Sequence, residues 1–210
     1  GACLADDMGL GKTIQALGVL LARAAAGPAL VIAPTSVCGN WLAETQRFAP
    51  TLNAVIYGEG DRTALIESAG PRDVVIVSYT LMQQAQETFA ARTWHTLITD
   101  EAQAVKNAAA RRSLALFELP ADFRMALSGT PIENRLAELW SIMRFCNPGL
   151  LGSGARFTEK FAAPIERDRD REAQRMLRRL IAPFVMRRTK SQGLEDLPPR
   201  DGREKRPRVG

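Results

Sequence analysis

Histidine and cysteine are scarce in this chain of 210 residues. His95 is the single histidine, so a catalytic triad or a histidine-rich metal site is hard to build. The cysteines are Cys3, Cys38 and Cys146, an odd number at wide spacing. They indicate small buried side chains in a reducing compartment, not a zinc site or a disulfide framework.

Long apolar runs are also missing. None approaches the roughly 18 apolar residues that span a membrane, so no membrane partner is expected. The chain has neither a start methionine nor a signal peptide, and it begins just before a motif. We expect it to be a fragment of a longer protein, or the product of a gene model cut at both ends.

Charge is distributed unevenly along the chain. The formal net charge is +5, but residues 1–152 carry −2 and residues 153–210 carry +7. A basic C-terminal segment suits a polyanionic partner such as nucleic acid. A solvated helix followed by a charged linker would give the same charge, so charge alone leaves both interpretations open.

Short apolar runs alternate with amphipathic stretches through residue 147. Strands are predicted at 29–33, 53–57, 74–78, 96–99 and 125–128. Helices are predicted between them at 12–25, 37–48, 62–68, 111–119 and 136–145. This alternation predicts an α/β fold with a central parallel sheet and helices on both faces. Continuous apolar runs such as LVIA favour strands buried on both faces.

Three parts are predicted along the chain. The α/β lobe covers residues 1–147 and ends at the turn signal Asn147-Pro148-Gly149. Residues 148–190 form a helical segment with a helix at Arg171–Ile181, and residues 191–210 form a basic linker or disordered tail.

The run LADDMGLGKTIQAL at residues 4–17 has the end of a phosphate loop. Its phosphate-binding set would be Gly9, Leu10, Gly11, Lys12 and Thr13. Glycine lets the backbone approach phosphate oxygens, and a helix beginning near Lys12 adds its positive dipole end. Lys12 would reach the β- and γ-phosphates and Thr13 would bind Mg²⁺. The strict pattern has glycine where Asp6 stands, so a glycine-rich helix entry is the alternative.

The run TLITDEAQAVKN at residues 96–107 carries an apolar strand into two carboxylates. At the C-terminal end of a parallel strand they would lie beside the phosphate crevice. Asp100 would hold Mg²⁺, and Glu101 would orient and deprotonate the attacking water. A solvated acidic pair is the alternative.

Small hydroxyl residues follow two further strands. Ser128, Gly129 and Thr130 could sense the γ-phosphate, although an ordinary strand–turn–helix explains them too. Thr35 and Ser36 stand where a strand meets a helix and could hold a nucleic-acid phosphate, or could simply cap the helix.

Taken in order, these segments resemble the Swi/Snf-type family of helicase-related ATPases in helicase superfamily two. DDMGLGKTIQAL is similar to its motif I, VIAPTSVCGNW to motif Ia, DVVIVSYTLM to motif Ib, DEAQAVKN to motif II, and LSGTPIENRLAELWSIMRFCNPGLLG to motif III with its extension. APFVMRRTKSQGLEDLPPR at residues 182–200 is similar to the segment leading to the family's second lobe. DEAD-box RNA helicases differ in the fourth residue of motif II and have no RRTK segment.

The resemblance implies a RecA-like phosphate-loop lobe that binds ATP and Mg²⁺, followed by the start of a helical insertion. The residues implied to couple nucleotide state to the grip on DNA are Gln103, Ser128, Gly129 and Thr130. The residues implied to contact the DNA backbone are Pro34, Thr35 and Ser36. Motifs IV, V and VI are absent, so the second RecA-like lobe and its arginine finger are missing.

The implied function is the ATP-binding lobe of a double-stranded-DNA-dependent ATPase that translocates and remodels protein–DNA complexes, acting on a DNA-bound protein target. The expected location is the bacterial cytoplasm at the nucleoid, or the nucleus in a eukaryote. Two alternatives stay open: a catalytically incomplete nucleotide-dependent interaction module, and a lobe of an RNA helicase.

Overall fold

The structure, a computed structural model, describes residues 1–7, 11–58, 60–105, 110–129 and 136–189. Its centre is a seven-stranded sheet in which all strand pairs are parallel. In chain order the strands are β1 (Ala2–Leu4), β2 (Ala29–Ala33), β3 (Asn53–Ile56), β4 (Asp73–Ser78), β5 (Trp94–Thr99), β6 (Ala121–Leu127) and β7 (Val185–Met186). Their order across the sheet is β3-β4-β2-β5-β6-β1-β7.

Helices connect successive strands. They are α1 (Lys12–Arg23), α2 (Thr35–Phe48), α3 (Arg62–Ser68), α4 (Tyr79–Gln84), α5 (Gln86–Ala90), α6 (Arg111–Phe117), α7 (Leu136–Cys146), α8 (Gly154–Phe157), α9 (Ala163–Asp168) and α10 (Arg171–Ile181). A π-helical turn at Thr158–Ala162 joins α8 to α9, and 3₁₀ turns follow α1 and β5. Each described helix is too short or too polar to cross a membrane.

Both faces of the sheet are buried. Leu30 and Ile32 of β2 pack into one apolar cluster with residues of α4, α6 and α7. Val31 and Ala33 pack into a second cluster with residues of α1 and α2. Successive side chains of a strand point to opposite faces, so the unbroken apolar run of β2 follows from helices covering both faces. The predicted parallel sheet is confirmed.

The strand bounds differ from the prediction at the side of the sheet formed by β6, β1 and β7. β6 begins four residues earlier than expected because its first half, which includes exposed Asp122, pairs with β5 but not with β1. β1 and β7 were not predicted, since runs of three and two residues give no periodic signal. They are strands because their backbones extend the ladder that starts at β6.

Helical segments fill residues 154–181, and the chain then returns to the sheet. α10 matches its predicted bounds: Asp170 caps it by accepting hydrogen bonds from the amides of Glu172 and Ala173. β7 pairs with β1, so the sheet includes two residues beyond position 147. The division at 147 stays a prediction, and the predicted linker 191–210 lies outside the described residues.

The parallel arrangement decides where the motifs meet. The carboxyl ends of all seven strands lie at one edge of the sheet, because all pairings have the same direction. The residues that follow β1, β2, β4, β5 and β6 therefore share that edge. The order of the strands puts β6 between β1 and β5.

Candidate nucleotide-binding site

A left-handed glycine precedes α1. Gly11 has a φ of 77° and is the N-cap residue of α1, a helix end that no side chain caps in the described part of the chain. A Cβ at position 11 would meet nothing within 4 Å, so space lies open beside the helix start. The first-turn amides and the positive end of the helix dipole can face an anion there. Gly9 and Leu10 lie outside the described residues.

The ammonium of Lys12 is held by the beginning of its own loop. Lys12 Nζ donates to the carbonyl oxygen of Asp6 at 2.9 Å and to that of Asp7 at 3.4 Å. Both acceptors are neutral backbone groups. A phosphate oxygen is a charged acceptor and forms a stronger hydrogen bond with an ammonium. An incoming phosphate can therefore displace these contacts. Thr13 follows on the same helix and is half-buried.

The Asp6 carboxylate accepts four hydrogen bonds at this edge. Asp6 is fully buried, and its carboxylate accepts from Arg188 N at 2.7 Å, Arg188 Nε at 3.0 Å, Arg188 Nη2 at 2.7 Å and Gln15 Nε2 at 3.2 Å. Burial alone would raise the pKa of Asp6, but the hydrogen bonds from Arg188 and Gln15 outweigh it and lower that pKa. Asp6 is therefore an ionised structural group where the strict loop pattern has glycine.

Asp100 follows β5 and is fixed on all sides. Its carboxylate accepts from the Trp41 indole Nε1 at 2.9 Å and from the Glu101 amide at 2.8 Å. Its amide donates to the carbonyl of Ile32 at 2.8 Å, and its carbonyl accepts from Tyr79 Oη at 2.6 Å. Burial, and then the negative charge of Asp100, raise the pKa of Tyr79 far above its usual value, so the phenol stays a donor.

Glu101 has a strained backbone and a supported side chain. Its φ of 52° is in the left-handed region, which costs a non-glycine residue free energy. The Gln103 side-chain amide donates to the Glu101 carboxylate. Ser128 Oγ in turn donates to Gln103 Oε1 at 3.3 Å. A hydrogen-bonded chain thus runs from the end of β6 to the carboxylate that follows β5.

The strand order gives the scale of the site. Because β6 lies between β1 and β5, the ends of β1 and β5 are two strand spacings apart, about 10 Å. The loop that holds Lys12 therefore faces Asp100 across the end of β6, where Ser128 is buried. The edge brings together the predicted phosphate, metal, base and coupling residues that the structure describes; Gly9, Leu10 and Thr130 lie outside the described residues.

The predicted DNA-contacting residues lie at the start of α2. Thr35 and Ser36 are exposed, and Pro34 is half-buried. Pro34 is the N-cap residue and no side-chain cap bond is present, so neither hydroxyl caps the helix. The interpretation of these two residues as simple caps is wrong. Uncapped amides and two exposed hydroxyls at a helix N-terminus suit a phosphate group.

The sequence model for the SNF2-related domain matches residues 1–204. The chain belongs to the SNF2-related family. It is 48% identical over 200 residues to "Putative ATP-dependent helicase/translocase YwqA" of Bacillus subtilis, a match that covers 90% of this chain and 21% of YwqA. It is 35% identical over 225 residues to the TATA-binding protein-associated factor mot1 of Aspergillus fumigatus, covering 94% of this chain and 12% of mot1. The chain thus spans about a fifth of these curated relatives or less.

Two solved structures of the SNF2 family match the fold. The Sulfolobus solfataricus SWI2/SNF2 ATPase core in complex with double-stranded DNA has a TM-score of 0.83 at 40% identity, over 94% of this chain and 42% of that one. The Sulfolobus core domain alone has a TM-score of 0.80 at 40% identity, over 94% of this chain and 41% of that one. The predicted RecA-like α/β fold is confirmed.

Three side chains of this SNF2-related site were not predicted. Trp41 and Tyr79 hold Asp100, and Arg188 holds Asp6, although each lies in a segment that resembles a family motif. A buried tryptophan N–H needs a hydrogen-bond partner, and that was the one available signal. It does not say which partner, because Trp41 and Asp100 are 59 positions apart.

Proposed function

We propose that this chain is the ATP-binding lobe of a double-stranded-DNA-dependent ATPase that translocates along DNA and remodels protein–DNA complexes. The observation that carries the proposal is the chain of hydrogen bonds from Ser128 through Gln103 to Glu101, beside the Lys12 loop and Asp100. Phosphoryl transfer needs a phosphate cradle, a metal-binding carboxylate and a group that orients the nucleophile. One edge of the sheet has candidates for all three.

Lys12 would carry the phosphate contact. Its ammonium would leave the carbonyl oxygens of Asp6 and Asp7 and bind the β- and γ-phosphates, a charge-assisted contact. The amides at the start of α1 would bind phosphate oxygens as well, because no side chain in the described residues occupies that helix end. Gly9 and Leu10 would complete the loop.

Thr13 and Asp100 would hold Mg²⁺, which would offset the negative charge of the phosphates when bound. The donor set fits a hard cation. Each Asp100 carboxylate oxygen accepts one hydrogen bond and keeps further acceptor capacity. In the described residues, no group of three or more His, Cys, Asp or Glu forms a cage. Mg²⁺ commonly needs only one or two carboxylates beside phosphates and water.

Glu101 would orient the attacking water and take its proton. Its left-handed backbone and its bond from Gln103 hold the carboxylate in one position. Gln103, Ser128, Gly129 and Thr130 would couple the loss of the γ-phosphate to the grip on DNA. This coupling rests on the Ser128–Gln103–Glu101 hydrogen bonds.

DNA would bind through its backbone. Pro34, Thr35 and Ser36 at the exposed start of α2 would contact a phosphate. Exposed arginines on α10, among them Arg171, Arg175 and Arg179, would add attraction to the polyanion. The Sulfolobus core with the same fold was solved in complex with double-stranded DNA, which supports a duplex over single strands. A protein bound to that DNA would be displaced or moved.

The intact protein would also have a second RecA-like lobe. This chain aligns with 42% of the Sulfolobus core, which leaves room for one. The second lobe would close over ATP and supply an arginine finger. Such an enzyme would work on chromosomal DNA, at the bacterial nucleoid or in a nucleus.

Steady-state ATP hydrolysis by the full-length protein tests the proposal, measured with duplex DNA, with duplex RNA and with no nucleic acid. We expect strong stimulation by duplex DNA alone. Stimulation by RNA would instead indicate an RNA helicase. Nucleotide binding without hydrolysis under all three conditions would indicate a nucleotide-dependent interaction module.

A further inference from the structure

The Trp41 side chain donates a hydrogen bond to the Asp100 carboxylate. That side chain is buried, with the whole residue 1% exposed, and its indole N–H reaches Asp100 Oδ2 at 2.9 Å. The Glu101 amide binds the other oxygen, Oδ1, at 2.8 Å. With one donor on each oxygen, the plane of the carboxylate is set.

The rest of Asp100 is anchored independently of Trp41. Its amide bonds to Ile32 and its carbonyl to Tyr79, so the backbone is fixed by β2 and by the start of α4. The main remaining freedom is rotation of the side chain. Trp41 restricts that rotation, because an alternative rotamer would leave a buried N–H without its acceptor.

The position of Trp41 is determined by α2. Cys38, Trp41 and Thr45 form the buried face of this helix at the three- and four-residue spacing of one side. The hydroxyl of Thr45 donates to the carbonyl of Trp41 at 2.7 Å. Trp41 lies about 9 Å along the helix axis from Thr35. One rigid helix thus carries exposed hydroxyls at its start and the donor to Asp100 further along.

We propose that Trp41 is a positioning residue that holds the Asp100 carboxylate in the orientation that binds Mg²⁺, and so ties the metal site to the position of α2. This inference rests on the proposed function, in which Asp100 is a magnesium ligand. Hydrogen bonds to metal-binding carboxylates typically change metal affinity by about 10–100-fold when they are removed. The same range is expected here.

Trp94 provides a matched control within the chain. It is buried to 0% exposure, and its indole N–H also makes one hydrogen bond, to the carbonyl of Phe89 at 3.0 Å. That bond is at the opposite end of β5 from Asp100. Trp41→Phe and Trp94→Phe therefore remove the same atoms from equally buried positions, and the metal site is adjacent to just one of them.

The experiment is calorimetric titration of the 210-residue chain with a non-hydrolysable ATP analogue over a series of Mg²⁺ concentrations. Thermal unfolding of each variant is recorded alongside. We expect Trp41→Phe to raise the Mg²⁺ concentration for half-maximal binding by about tenfold or more, and Trp94→Phe to leave it unchanged. Equal Mg²⁺ requirements for Trp41→Phe and wild type would overturn the inference. A wild-type chain that binds the analogue without any Mg²⁺ dependence would overturn the proposed function instead.

If the Trp41→Phe variant does not fold, a second measurement on the wild-type chain tests the inference. The indole N–H resonances of the wild-type chain are followed by NMR during addition of Mg²⁺ to the analogue-bound protein, and are assigned with Trp94→Phe and Trp140→Phe. The Trp41 resonance should move while that of Trp94 stays. A Trp41 resonance whose chemical shift does not change when Mg²⁺ is added would contradict the proposed role of Trp41.

Discussion

Arg188 holds the carboxylate of Asp6, 182 positions away in the chain, with three hydrogen bonds. Two come from the guanidinium to Oδ2 and one from the backbone amide to Oδ1. The backbone continues the contact, because Ala5 N donates to Met186 O and Asp7 N to Arg188 O. The beginning of the predicted phosphate loop is therefore hydrogen-bonded to the segment that follows α10.

The two partners of this ion pair differ in exposure, which predicts unequal effects of removing them. The Asp6 side chain is 0% exposed and that of Arg188 is 51% exposed. Arg188→Ala leaves the buried charge of Asp6 without its cation and should lower the free energy of unfolding. Asp6→Asn leaves a cation that water can solvate, so its cost should be smaller. Urea unfolding measures both, with exposed Arg175→Ala on α10 as the control. An equal or larger loss for Asp6→Asn would contradict this account.

Lowering the pH should reduce the difference in the free energy of unfolding between wild type and Arg188→Ala. The folded-state pKa of Asp6 is lowered, so its contribution is complete above the unfolded-state pKa near 4 and is lost as pH falls through the lower folded value. In Arg188→Ala, burial would no longer be opposed by the cation, and the pKa of Asp6 should rise. The variant then gains relative stability as Asp6 takes up a proton. Unfolding curves recorded from neutral pH down to below pH 4 measure this change; a difference in stability that stays constant over that range would contradict the prediction.

Local patterns predicted the elements whose signals are local. α10 has its cap at Asp170 and buried residues at Ala173 and Leu177, one helical turn apart, so its bounds could be predicted. β7 could not be predicted, because Val185–Met186 is a strand only through its pairing with β1.

At the candidate site, too, the motif residues could be predicted from the sequence, and the contacts that position them could not. Lys12, Asp100 and Glu101 stand in motifs whose spacing predicts their place at the strand ends. The contacts that hold them come from elsewhere in the chain: Trp41 is 59 positions from Asp100, and Ser128 is 25 from Gln103. The left-handed backbone of Glu101 could not be predicted from the sequence either, because glycine, not glutamate, is the usual residue in that conformation.

Lys12→Ala should weaken nucleotide binding. The change removes the ammonium that would bind the phosphates, and we expect a loss of at least about tenfold in affinity, or about 1.4 kcal/mol. Calorimetry with an ATP analogue and Mg²⁺ measures it on the 210-residue chain. Lys160→Ala, at an exposed position on the π-helical turn, is the matched control. If Lys12→Ala binds as tightly as the control, Lys12 is not a phosphate ligand.

Glu101→Gln should keep ATP binding and stop hydrolysis in the full-length protein. The amide has nearly the same shape and can still accept the hydrogen bond from Gln103, but it cannot take a proton from water. Phosphate release and analogue binding are measured together. Glu87→Gln, the same change at an exposed position on α5, should leave both unchanged. Hydrolysis at the wild-type rate in Glu101→Gln would remove Glu101 from the role of base.

Thr35→Ala and Ser36→Ala should weaken binding to duplex DNA without creating a sequence preference. Each loses one hydrogen bond from a hydroxyl to a charged phosphate, worth about 1.5–3 kcal/mol, and binding should fall steeply with salt. Fluorescence anisotropy with two unrelated duplexes measures this. Exposed Thr51→Ala, just before β3 and so at the opposite edge of the sheet, is the control. A strong preference for one duplex at fixed salt would argue against backbone recognition.

The 210-residue chain by itself should hydrolyse ATP slowly and should not respond to duplex DNA. In the transition state negative charge builds on the phosphoryl oxygens, and Lys12 with Mg²⁺ would cover one side of them. Arg188 cannot act as the finger from its observed position, because its guanidinium is bound to Asp6.

Arginine fingers contribute about 10³–10⁵ in rate in other phosphate-loop enzymes. The full-length protein, in which DNA would align the proposed second lobe, should recover that factor. Steady-state phosphate release from the chain and from the full-length protein, each with and without duplex DNA, measures the difference, and analogue binding confirms that the chain is intact. DNA-stimulated turnover by the chain that vanishes in Glu101→Gln would refute this prediction, and would mean that a finger comes from this chain or from a second copy of it.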